Sequence, residues 1–321
     1  MSYEFVRRFP ARPSSRLLSL SKGSQWPGPK GSVAMMKRAS VHLRRPRPPP
    51  RMPASAGQQL NPGSENMPSN FVWYELMTTD LDAATAFYKT VVGWDSESSD
   101  TPQMRYTIVK AGDKPVAGLM TIPDHAAKMG ARPAWTGYIH VDNVDTATEN
   151  VKKAGGAVHR EPADIPAVGR FSVVADPQGA TFVLFKPQSE GQPPAPPMTP
   201  GHVGWHELYA AEWKSAFDFY AGQFGWTKTD AMDMGEMGTY QLFAAGAGGE
   251  AIGGMFNKPA DVPAPFWLFY FNVGDIDAAA QRVTGNGGKV LMEPMEVPGG
   301  GWILQATDPQ DAMFALVGSR G

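Results

Sequence analysis

Two carboxylates stand where acids are costly. Glu75 lies in an alternating, largely apolar run from Phe71 to Thr78 and Glu207 lies in its counterpart, each two residues beyond a tryptophan, Trp73 or Trp205. Residues two apart on a strand share a face, so each acid is expected beside its tryptophan. An acid inside an apolar strand is rarely buried unpaired. Two roles follow. It can act as a general base whose pKa an apolar wall raises, or it can close a structural bridge with an arginine such as Arg105 or Arg170. The same alternation sets Tyr138 and His140 beside Thr136, and Tyr270 and Asn272 beside Leu268. A carboxylate, aromatic walls and a few hydrogen-bonding tips make up a small-molecule pocket. The candidate ligand-binding residues are therefore Trp73, Glu75, Tyr138, His140, Trp205, Glu207, Tyr270 and Asn272, with Glu75 and Glu207 as candidate catalytic groups. Each has a plainer reading, the tryptophans as cover for a closed sheet and His140 as a partly exposed residue near a strand end. His206 is out of register with this face and ranks below Glu207.

The elements that must position these groups occur twice, at an offset of 132 residues. Trp73-Tyr74-Glu75-Leu76 recurs as Trp205-His206-Glu207-Leu208, Phe87-Tyr88 as Phe219-Tyr220, Gly93-Trp94 as Gly225-Trp226, and Asp176-Pro177-Gln178 as Asp308-Pro309-Gln310. In the middle the match slips: Ala117-Gly118-Leu119-Met120 aligns with Ile252-Gly253-Gly254-Met255, as if a hairpin had gained three residues and a later loop lost three. Within a copy, the strand Phe71 to Thr78 leads to a helix capped by Asp80 or Thr79, with apolar positions Leu81, Ala84, Phe87, Tyr88 and Val91 at helical spacing and Gly93 at its end. Short strands follow at 105–110 and 116–121. A second strand, Trp135 to Val141, leads to a helix from Val144 capped by Asn143 and stopped by Gly155-Gly156, then three more strands. Each copy thus reads βαβββ twice, an α+β fold with helices on one side of a mixed sheet.

Of the 29 Lys/Arg and 31 Asp/Glu, 12 basic but only 2 acidic residues fall in the first 66 positions. That segment, with its Arg44 to Pro53 run RRPRPPPRMP, lacks the apolar area to offset chain ordering and is expected to be disordered. It reads as sequence ahead of a start at Met67, as a targeting segment, or as a nucleic-acid- or membrane-binding arm. Residues 70–187 and 202–318 are expected to be the two domains, joined at 188–201 by a proline-rich, semi-rigid linker. Their acidic balance argues against nucleic acid as partner of the folded part, and no apolar run approaches a bilayer span. The absence of cysteine excludes disulfides and thiolate chemistry and fits a reducing compartment such as the cytoplasm. No glycine-rich phosphate loop, G-x-S-x-G elbow or H-E-x-x-H motif is present.

The helix ending in Phe87-Tyr88 before Gly93-Trp94, the mid-domain strand ending Val141-Asp142, the Gly155-Gly156 stop and the closing Asp176-Pro177-Gln178-Gly179 together resemble the vicinal oxygen chelate superfamily, which includes glyoxalase I, extradiol dioxygenases and bleomycin-resistance proteins. The stretch from Glu161 to Pro187 resembles its tandem-domain, glyoxalase-like branch. The resemblance implies two glyoxalase-like domains, each with a sheet around a cleft, and domains that pair within one chain, compatible with a monomer. It also implies a metal site, with one His, Gln or Glu on each of four cleft strands. Counted along the strands, those positions carry Trp73, Gly118, Thr136 and Val183 in the first copy and Trp205, Gly253, Leu268 and Ala315 in the second. Alkyl, aromatic and glycine positions supply no lone pairs, and threonine is a poor ligand. The expectation is therefore no metal and no cofactor. Three functions remain open: a glyoxalase-like protein binding a small metabolite or drug, a lyase, isomerase or hydroxylase using Glu75 or Glu207 as base, and an interaction protein with filled clefts.

Overall fold

The computed structural model describes residues 69–101, 104–128, 130–189 and 195–321. The Arg/Pro-rich segment 1–66 and the centre of the proline-rich linker lie outside the described residues. In the first copy β1 (Phe71–Thr78) is followed by α1 (Leu81–Val91), β2 (Asp95–Ser98), β3 (Tyr106–Ala111), β4 (Lys114–Thr121) and a short helix α2 (Asp124–Lys128). The second half has β5 (Ala134–His140), α3 (Val144–Lys153), β6 (Ala157–Ile165), β7 (Gly169–Ala175) and β8 (Thr181–Pro187). The second copy runs β9 (Val203–Ala210), α4 (Trp213–Phe224), β10 (Thr227–Asp233), β11 (Thr239–Ala244), β12 (Gly253–Asn257), β13 (Phe266–Asp275), α5 (Ile276–Gly285), β14 (Lys289–Glu296), β15 (Trp302–Thr307) and β16 (Met313–Ser319).

Each copy forms one 8-stranded mixed sheet, in the order β2-β3-β4-β1-β5-β8-β7-β6 and β10-β11-β12-β9-β13-β16-β15-β14. This is the α+β architecture that the repeat implies, with α2 as an addition. The two βαβββ halves meet along the antiparallel pair β1–β5, while β1–β4 and β5–β8 are parallel. The helices start where their caps require. Asp80 accepts from Ala83 N at 3.0 Å, Asn143 from Thr146 N at 2.9 Å, and Glu212 and Asp275 do the same for α4 and α5.

One face of each sheet packs into an apolar cluster shared by both copies, which includes Phe87, Tyr88, Trp94, Leu119, Phe182, Phe219, Tyr220, Trp226, Phe269 and Phe314. The first helix of each copy packs against the last strand of the other. Phe87 of α1 meets Phe314 of β16 at 5.8 Å between centroids, and Phe219 of α4 meets Phe182 of β8 at 6.4 Å. Polar contacts follow the same exchange: Tyr88 Oη donates to Asp308 at 3.2 Å, and Tyr220 Oη to Asp176 at 3.1 Å. Trp94 Nε1 donates to Gly201 O and Trp226 Nε1 to Ser69 O, both at 2.7 Å. Every one of these contacts has its counterpart 132 positions away, so the copies are related by an approximate twofold axis. The opposite sheet faces carry two separate, smaller clusters. Among the described residues, no helix is long and apolar enough to cross a membrane.

Candidate functional site

The two smaller clusters lie on the cleft faces and surround the two acids. In β1, Glu75 is flanked by Gly118 of β4 on one side and Thr136 of β5 on the other, and Trp73 pairs with Tyr138. The adjacent strand β3 lays the ring of Tyr106 across Gly118. A Cβ at residue 118 would stand 1.8 Å from the Tyr106 hydroxyl, so only glycine admits the ring. That hydroxyl donates to Glu75 Oε2 at 3.1 Å and accepts from Trp73 Nε1 at 3.3 Å. Tyr138 donates a second hydrogen bond to the carboxylate. Burial pushes the Glu75 pKa up, and the two tyrosine donors and the positive charge of Arg160 oppose that shift.

Arg160 reaches this face because the pairing of β6 with β7 shifts register on both sides of it, and such bulges re-aim a side chain. Ser172 Oγ donates to the Arg160 carbonyl at 2.7 Å, and the guanidinium lies 4.4 Å over the ring of Phe171. Phe171, Tyr138 and Val183 form the buried wall, with Trp73, Ile165 and Phe185 partly exposed around them.

The second cleft repeats the motif and fills it. Tyr240 Oη donates to Glu207 Oε1 and Tyr270 Oη to Oε2, each at 2.8 Å, and Tyr209 bonds the same carboxylate. Trp205 Nε1 donates to Tyr240 Oη at 2.8 Å; Gln305 Nε2 donates to Tyr209 Oη at 2.8 Å and to Tyr270 Oη at 3.1 Å. Phe256, Leu268, Ala315 and Val317 close the wall, Phe266 stacks on Tyr209, and Met232, Met234 and Met237 pack over them. Glu207 is only 7% exposed. Burial raises its pKa despite the tyrosine donors.

Three sequence-based expectations need correction. The counterpart of Gly118 is Gly254, not Gly253: Gly254 pairs with Glu207, and a Cβ there would meet the Tyr240 ring at 2.2 Å. The slip between the copies is one residue longer than the sequence match suggests. The arginines offered as bridge partners are engaged elsewhere, Arg105 with Asp82 at 2.7 Å and Arg170 with Asp145 and Asp164 at 2.7 and 2.9 Å. Glu75 instead feels Arg160. His140, expected to be partly exposed, is 3% exposed with its Nδ1 lacking a hydrogen-bond partner.

Trp73, Glu75 and Tyr138 come together in one cleft and Trp205, Glu207 and Tyr270 in the other. Asn272 uses its amide on the linker, donating to Thr199 O at 3.1 Å. His206 lies on the opposite face, where its Nδ1 bonds Ile252 O at 2.7 Å and its Nε2 meets Tyr74 Oη at 2.6 Å. Tyr106, Tyr240 and Arg160 were missed from sequence. Tyr106 and Tyr240 recur two strands from the acids at an offset of 134, a repeat signal hidden by the slip.

The metal site that the resemblance implies does not fit these residues. Among the described residues no three His, Asp or Glu side chains converge to hold an ion. Each cleft offers one carboxylate whose neighbours on both flanking strands, Gly118 and Thr136 or Gly254 and Leu268, leave a divalent cation short of donors. The side chains of each site accept and donate hydrogen bonds and can exchange a proton at the carboxylate.

Comparison with known proteins agrees with the architecture. The protein CFP32 of Mycobacterium tuberculosis, whose name places it provisionally among the glyoxylases, is 31% identical over 247 residues, covering 76% of this chain and 93% of its own. The anthracycline biosynthesis protein DnrV of Streptomyces peucetius is 31% identical over 273 residues, covering 77% of this chain and 92% of its own. Among solved structures, the Mn(II)-bound glyoxalase of Novosphingobium aromaticivorans shares the fold with a TM-score of 0.55 at 16% identity, covering 79% of this chain and 83% of that one. The model of the Glyoxalase/Bleomycin resistance protein/Dioxygenase superfamily matches twice, over residues 70–184 and 199–316, and the chain belongs to that superfamily.

Proposed function

We propose that this protein binds a small, ring-bearing, oxygenated molecule on the cleft face of its first copy, without a tightly bound metal. The observation that carries this reading is Glu75: a carboxylate with two tyrosine donors, an adjacent guanidinium and a partly exposed aromatic wall. A polar centre set in an apolar surround is how pockets orient a ligand. DnrV, by its name, serves anthracycline biosynthesis, which supports a ring-bearing ligand. The test is a thermal-shift screen of oxygenated aromatic and carbonyl compounds alongside Zn²⁺, Ni²⁺ and Mn²⁺ salts. A native-state binder raises the melting temperature by mass action, and the rise should vanish in Glu75→Gln. Stoichiometric metal in the purified protein, with compound binding abolished by a chelator, would overturn the metal-free reading.

A second reading makes the same site catalytic, with Glu75 as general base of a lyase, isomerase or hydroxylase. The raised pKa of Glu75 favours it. In that case Glu75→Gln loses on the order of 10²-fold or more in turnover, with little change in ligand affinity.

A further inference from the structure

The cleft residues of the two copies differ in a consistent direction. At positions 132 apart, Met77 faces Tyr209 in the comparison, Ala134 faces Phe266, Thr136 faces Leu268 and Val173 faces Gln305. Each exchange makes the second cleft bulkier, more apolar or more fully bonded. The end of β10 and the turn that follows it, at Gly235–Met237, add Met232, Met234 and Met237, which pack against the cluster of Tyr240 and Tyr270. The strand before the matching connection in the first copy, β2, is exposed throughout. One exchange also removes a charge. Arg160 in the first cleft is Met292 in the second, although β14 shifts register on both sides of Met292 as β6 does at Arg160.

We infer that the copies have divided their roles: the first cleft alone takes ligand and selects an acidic hydroxyl, a phenol or an enol on a flat skeleton, held between Glu75 and Arg160, while the second is a sealed copy kept for packing. This rests on the first-cleft reading above and adds the ligand class to it. A carboxylate offers only acceptors and a guanidinium only donors. The group that satisfies both at once is a hydroxyl, which donates to Glu75 and accepts from Arg160. Acidity strengthens the match. As the O–H bond breaks, its proton passes to the Glu75 carboxylate, and the negative charge left on the ligand oxygen is stabilised by the guanidinium; no oxidant or other reactant is needed. The five N–H donors of an arginine let it serve both Glu75 and a ligand. The partly exposed Trp73 and Phe185 supply the faces on which a flat skeleton rests. In the second cleft Glu207 accepts from three tyrosines, and among the described residues no guanidinium is felt at its carboxylate.

The experiment uses the full chain with 4-nitrophenol, whose phenolate absorbs at longer wavelength than the phenol, titrated somewhat below the probe's own pKa. The expected result is one bound probe per chain carrying the phenolate band. Arg160→Met, which installs the second copy's residue, should abolish the band and weaken binding on the order of tenfold or more, and Arg160→Lys should restore part of both. Two probes per chain, a bound probe that stays neutral, or a band that survives Arg160→Met would each overturn the inference. If 4-nitrophenol fails to bind while a neutral carbonyl compound still raises the melting temperature in a Glu75-dependent way, the ligand class is wrong and the first-cleft reading stands. If no compound does so, both fall.

Discussion

Glu75 and Glu207 occupy the same register position, but their surroundings give them different energetic roles. Glu207 is buried among three tyrosine hydroxyls that point their protons at it, and among the described residues no positive group compensates its charge. Its pKa is raised, so the folded chain holds the proton more tightly than the unfolded one. The stability this contributes is fully present below the unfolded carboxylate pKa and is lost as pH rises through the folded value. Glu207→Gln swaps one acceptor for a donor facing a tyrosine and should destabilise by about 1–3 kcal/mol. Because glutamine does not titrate, that deficit should be largest below the ordinary carboxylate pKa and shrink as pH rises through the raised folded value in paired melting curves. A deficit independent of pH would mean that Glu207 is ionised in the fold without penalty. The acids themselves were legible in sequence, since period-two alternation marks any carboxylate that shares a face with a tryptophan. Their partners were not. Tyr106 arrives from a strand two places away in the sheet, and Arg160 faces the cleft only because two register shifts turn it there.

At the scale of elements, the strand pair β3–β4 and its counterpart β11–β12 deliver a tyrosine over a glycine. The repeat made this module visible, but a hairpin of different length in the second copy concealed which glycine was equivalent. The β3–β4 turn spans Gly112 and Asp113, whereas β11 and β12 are joined by residues 245–252. The glycines are a steric requirement, since a methyl at either position overlaps its tyrosine. The cost of breaking it should differ between copies. Tyr240 is 7% exposed and bonded to both Trp205 and Glu207, so Gly254→Ala forces a packed ring to move and should cost about 1–3 kcal/mol. Tyr106 is partly exposed on β3 and can swing outward, so Gly118→Ala should cost less stability yet disconnect Tyr106 from Glu75. Melting temperatures of the two variants check this; equal losses would mean that the first cleft is as tightly packed as the second.

At the scale of the molecule, the two copies share one core and exchange helix contacts, and Tyr74 and His206 meet at the approximate twofold axis between them. These two residues are repeat-mates, and the sequence marked His206 only as out of register with the cleft; that it faces its own counterpart follows from the packing of two sheets back to back, which alternation within one strand cannot report. Phe71 stacks on the imidazole at 4.3 Å. The bond of Nδ1 to the Ile252 carbonyl places the proton on that nitrogen, so Nε2 is free to accept from the Tyr74 hydroxyl. Burial lowers the His206 pKa from 6.5 to about 4. The unfolded chain therefore binds a proton at this site more readily than the folded one, and the stability it contributes, fully present above the unfolded pKa, is lost as pH falls from 6.5 toward about 4. Full protonation would charge the seam, remove the acceptor for Tyr74, and cost about 3 kcal/mol. His206→Gln offers an acceptor without a titratable group. It should lower stability modestly at neutral pH, yet flatten the acid limb of the stability curve between about pH 6.5 and about pH 4 relative to the parent chain. Chemical denaturation across that range reads the slope directly. An acid limb unchanged by the substitution would move the pH sensitivity away from the seam and onto other groups of the fold.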